Sequence, residues 1–82
     1  MLPLAILKEL SSMPAGYLTP KDALRNAVRW AVAPQPTYAE IDAALHSLEE
    51  AGQIIAQHNN LVGLRYAISD KGRMALANAI QD

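Results

Sequence analysis

Asp42 and His46 stand four positions apart in the stretch "TYAEIDAALHSLEEAGQI", residues 37–54. On a helix that spacing places them one turn apart on one side, where a carboxylate can orient an imidazole. Chemistry needs more than the pair. A metal site wants at least one further convergent ligand, and a triad wants a placed nucleophile. The chain has no cysteine, and its other histidine is His58. Glu49 and Glu50 are adjacent, so on a helix they point about 100° apart and do not converge. Ser11, Ser12 and Ser69 fall at expected helix ends, where capping explains them. There is no glycine-rich phosphate loop, and "AGQ" and "DKG" match no nucleotide fingerprint. The expectation is no catalytic residue, no metal, no cofactor and no small-molecule substrate. His46 reads as a solvated helix residue and His58 as a strand end.

The elements that carry these residues follow from periodicity. A first helix is expected from Pro3 to about Met13, with Leu2, Ile6, Leu10 and Met13 facing inward. "PAG" ends it, and Tyr17 with Leu18 could form a very short strand. "TPKD" opens a second helix, with Thr19 as N-cap, Pro20 at the first position and Asp22 near the positive helix end. Leu24, Ala27, Val28 and Ala31 make its buried stripe. Arg25 and Arg29 fall on its outer face, with Trp30 at the border. "APQP" breaks it. Thr37 and Glu40 match a capping box, opening a third helix with Ile41, Ala44, Leu45 and Leu48 inward and Gly52 just past its end. The period then changes. "QIIAQH" and "LRYAI" read as strands around "NNLVG", with Leu64, Tyr66 and Ile68 alternating against Arg65 and Ala67. Ser69 is the N-cap expected for a last helix through Ile80, its inner side formed by Gly72, Leu76, Ala79 and Ile80.

The chain has 82 residues, about half of them apolar, with a formal net charge of −1. This suits one small ordered domain spanning 1–82 and gives no overall attraction to nucleic acid or anionic membrane. The apolar start "MLPLAILKELSSM" is interrupted by Lys8 and Glu9, so it reads as an amphipathic helix and not as a leader. No run approaches the roughly 20 apolar residues of a spanning helix. Together with the lack of cysteine, this gives the expectation of a cytoplasmic protein without membrane contact.

The order helix, short strand, helix, helix, hairpin, helix resembles the winged-helix superfamily of helix-turn-helix proteins. "IDAALHSLEEAGQI" looks like its third helix and following turn. "RYAISDKGRMAL" is similar to the wing strand and exit of MarR-like and PadR-like bacterial regulators. The likeness covers nearly the whole chain, although helix 2 and "APQPT" are longer than the compact turn of the simplest members. It implies a mostly α fold with a small antiparallel β wing. It also implies a contact face on helix 3, carried by position onto Thr37, Tyr38, Ala39, Asp42, Ala43, His46 and Glu50. The implied wing contacts run from His58 to Gly63, including Asn59, Asn60, Leu61 and Val62, and add Arg65. Members of the superfamily include both DNA-binding regulators and protein-binding adaptors.

Charge weighs between those two uses. Lys and Arg supply most phosphate contacts, and helix 3 carries Glu40, Asp42, Glu49 and Glu50 with neither. Asp42 or Glu50 could accept from cytosine, but only with strong positive charge nearby to hold the helix. Arg25, Arg29, Arg65, Lys71 and Arg73 are the candidates for that. Arg25 and Arg29 read more readily as solvated helix-face charges than as phosphate contacts. Leu61 and Val62 near the wing tip suit a protein partner if exposed, or fold back onto the sheet. Ala39 and Ala43 permit close backbone approach within a charged rim, and Met74 and Ala77 face outward on the last helix, where a second copy could pair. The reading favours a protein partner or homodimer, with DNA as the alternative.

Overall fold

The computed structural model describes residues 2–14, 16–61 and 63–80. Within them lie α1 (Leu2–Ser11), β1 (Thr19–Pro20), α2 (Lys21–Ala31), α3 (Tyr38–Glu50), β2 (Ile54–Asn59), β3 (Gly63–Ile68) and α4 (Asp70–Ile80). The fold is mostly helical with a small antiparallel sheet in the order β1-β3-β2. Ile54 opposes Ile68 and Asn59 opposes Gly63, so the hairpin runs in register without a bulge. Gly63 takes φ 76°, a left-handed value that glycine adopts without cost at the hairpin's return.

Every helix contributes to one core. Ile6, Leu7 and Leu10 come from α1, Leu24 and Val28 from α2, Ile41, Leu45 and Leu48 from α3, and Leu76 from α4. Ile54, Tyr66 and Ile68 close it from the sheet. α1 packs on α2, α3, α4 and β3 at once. That encirclement buries Leu7 beside Ile6, which a single helical stripe does not anticipate. Leu2 and Met13 are only partly buried, and α1 stops at Ser11, where the Ser11 and Ser12 hydroxyls donate to the Lys8 and Glu9 carbonyls.

Four expectations fail around α2. The short strand is Thr19–Pro20 and not Tyr17–Leu18, because pairing with β3 defines it: Thr19 opposes Tyr66 and Pro20 opposes Arg65. Thr19 therefore does not cap α2. Its side chain is buried, its hydroxyl has no hydrogen-bond partner among the described residues, and Pro20 occupies the cap position instead of the first helical one. Ala31, expected in the buried stripe, is exposed. So is Trp30, at 76 %.

The later elements follow their local signals. Thr37 Oγ1 accepts from the Glu40 N–H at 3.1 Å, and the Thr37 N–H donates to Glu40 Oε1 at 2.9 Å, a complete capping box. Ser69 Oγ accepts from the Gly72 N–H at 3.1 Å and donates to the Gly52 carbonyl at 2.6 Å, tying the start of α4 to the turn after α3. Gly72 faces Gln53 and Ile68 so closely that any Cβ there would overlap the Gln53 carbonyl. Ala79, expected inward, is exposed, since Leu76 already fills the contact on that turn. The expected inward side chain of Ile80 lies outside the described residues.

Candidate functional site

α3 buries Ile41, Leu45 and Leu48, which turns the opposite side to solvent. Ala39, Ala43, His46 and Glu50 line that exposed side, with Tyr38 at its N-terminal end, 43 % exposed. His46 Nε2 lies 2.9 Å from Glu50 Oε1, and both side chains are largely exposed. The Asp42–His46 pair that the spacing suggested does not form. Asp42 turns towards α2, where its Oδ1 meets Lys21 Nζ at 3.7 Å and Arg25 Nη1 at 3.5 Å.

Arg25 and Arg29 differ from the solvated charges expected. Both are half-buried, and both guanidinium groups lie over the Tyr38 ring, at 4.3 and 4.9 Å from its centre. Cation–π contact of this kind is worth about 0.5–1 kcal/mol when partly exposed. Their Nε atoms are sealed from solvent without a hydrogen-bond partner among the described residues. Arg25 also reaches Asp22 at 3.9 Å, and Arg29 Nη2 donates to Gln35 Oε1 at 3.5 Å. These contacts are long and partly exposed, so each adds under about 1 kcal/mol. Together they orient the cations around Tyr38 and Asp42. Sequence reasoning left Lys21 out of this cluster. The signal was present: Lys21, Arg25 and Arg29 recur every fourth residue and share one face of α2.

Among the described residues two ionisable groups are shifted. The Glu40 carboxyl is held below its usual range, chiefly by the Thr37 backbone N–H and then by the Thr37 side chain. The Tyr66 phenol is pushed up, first by burial and then by the negative charges of Glu49 and Asp42, with Arg25 opposing.

The hairpin places its candidates differently. Leu61 is 94 % exposed, so of the two positions considered for it the outward one holds. Val62 lies outside the described residues. The Asn59 Oδ1 accepts from the Leu61 N–H at 2.8 Å and fixes the tip in an Asx turn. His58 and Asn60 are exposed. Arg65 is half-buried on β3 with its Nε enclosed, while Lys71 and Arg73 are exposed on α4, away from the cation cluster of α2 in sequence and element. Met74 and Ala77 face solvent, as expected.

A depression of about 370 Å³ between Pro20, Lys21, Asp22, His58, Gly63 and Leu64 brings together one ammonium, one carboxylate and one imidazole, from α2 and the hairpin. Among the described residues no group of three His, Asp or Glu side chains could hold a metal ion, and no helix is long and apolar enough to cross a membrane. Comparison with protein-family models, with curated proteins and with solved structures finds no match to this chain.

Proposed function

We propose that this chain is a non-catalytic winged-helix module that binds a protein partner through the outer side of α3. Ala39, Ala43, His46 and Glu50 form the contact, with Tyr38 and Asp42 at its border. The observation that carries this reading is the disposition of the cations beside α3. Lys21 and Arg25 converge on Asp42, and Arg25 and Arg29 stack on Tyr38. A duplex approaching α3 would meet Glu50 on the outer side with Glu40 and Glu49 on its flanks, and Arg25 would have to leave Asp42 to grip a phosphate. A protein partner asks for neither. The alanines let a backbone come close, and the acidic rim suits a basic counterpart.

The alternative is a DNA-binding regulator that uses α3 and the hairpin, with Arg25, Arg29, Arg65, Lys71 and Arg73 on phosphates. Two measurements separate the readings. Ala43→Arg and His46→Glu should each abolish retention of the partner in a pull-down while leaving the thermal melt unchanged; retention that survives both changes removes α3 as the contact. In a retardation assay on random duplex at low salt, micromolar protein should give no shift. A shift that falls steeply with salt and is lost in the Arg25→Glu, Arg29→Glu double variant would establish the DNA reading instead.

A further inference from the structure

We infer that two copies of this chain pair reversibly through the open edge of β2, in an antiparallel arrangement about a two-fold axis at Ala56. β2 is the outer strand of the β1-β3-β2 sheet, and among the described residues no strand pairs with its far side. The Ser69 N–H donates to the Gln53 carbonyl at 3.1 Å, which sets the alternation of the ladder. Ile55, Gln57 and Asn59 then exchange bonds with Ala67, Arg65 and Gly63, and the N–H and C=O groups of Ile54, Ala56 and His58 point out along the free edge.

Such edges are commonly blunted by charge, proline or a bulge. Ile54–Asn59 has no Lys, Arg, Asp, Glu or Pro, and its register with β3 is unbroken. An antiparallel strand is self-complementary across a two-fold axis. With the axis at Ala56, Ile54 stands opposite His58 of the second copy and Ala56 opposite Ala56, so the outward groups on each side find partners. The same register accounts for two exposed apolar side chains. Ile55, 51 % exposed, lies diagonal to Ile55 of the second copy, within the 7–8 Å or so over which such neighbours interact. Leu61 is carried towards the exposed Ala51–Gly52 turn of the second copy.

A second copy suits this edge better than a loose peptide. Its β2 is already held extended by β3, so pairing orders nothing new on either side. Neither strand carries Asp, Glu, Lys or Arg, and each His58 stands opposite Ile54 of the other copy, so no like charges face each other at the joint. The contact is small: six residues a side, against about 20–30 in a standard interface. The dimer is therefore weak, with a dissociation constant of roughly 0.1–1 mM.

Sedimentation equilibrium between about 20 μM and 1 mM should show the average mass rising from monomer towards dimer. Ala56→Pro removes only an outward N–H, and Ile55→Lys places charge on the edge; both should stay monomeric over the same range while melting cooperatively. If Ala56→Pro fails to fold, Ile55→Lys alone decides. Exchange of the Ala56 amide should slow at least about two-fold as the dimer fills. A wild-type chain that stays monomeric throughout, association unchanged in Ile55→Lys, or Ala56 exchange independent of concentration would each overturn the pairing. None of these readouts involves Ala43 or His46, so failure here leaves the α3 contact standing.

Discussion

Tyr66 is the buried titratable side chain of the core, opposite Thr19 on one neighbouring strand and Ala56 on the other. Its phenol is neutral when protonated, and burial with Glu49 and Asp42 nearby raises its pKa in the folded chain above the ordinary value of 10.0. The folded state thus holds the proton more tightly than the unfolded one. The resulting stabilisation is fully present below pH 10.0 and is lost as pH rises through the higher folded value. Thermal midpoints followed up the alkaline range should fall above that point, and Tyr66→Phe should fall less steeply. An equal decline in Tyr66→Phe would assign the loss to other groups.

Ser69 joins three elements with one residue. Its hydroxyl caps α4 and ties the Gly52 carbonyl, and its own N–H donates to Gln53 at the start of the hairpin. Ser69→Ala should lower unfolding free energy by about 1–2 kcal/mol in urea titrations, the cost of a lost cap. An unchanged midpoint would show that water replaces both bonds. The Ser69 cap was legible in the sequence, as was the Thr37–Glu40 box, because capping is local; the bonds from Ser69 back to Gly52 and Gln53 were not. Elements set by distant partners were less so. β1 exists where Thr19 meets Tyr66, and nothing within residues 17–20 says which two of them pair. Leu7 is buried because α1 is surrounded, a fact of packing and not of its own period. The outer side of α3 was readable from Ile41, Leu45 and Leu48, but the turn of Asp42 away from His46 depends on Lys21 and Arg25 arriving from another helix.

In a molecule of 82 residues the margin is thin: total stability of such a domain is about 4–12 kcal/mol. Leu24, from the helix that carries the cation cluster, is fully buried in the core. Leu24→Ala should cost about 3–5 kcal/mol, a large share of that total. The variant should have a urea midpoint reduced by about a quarter or more, on the order of that ratio; a smaller drop would mean that neighbouring side chains close the cavity. The cluster on α2 and the contact proposed on α3 both depend on this packing, since the same helices supply core and surface.

The sole tryptophan has a practical bearing on all of this. Trp30 already stands in water at the end of α2. Its indole meets nearly the same surroundings whether the chain is folded or melted, so its emission colour is a poor witness to unfolding. For the same reason it is a quiet reporter: a blue shift on mixing would mean that something has come to rest on that end of the helix.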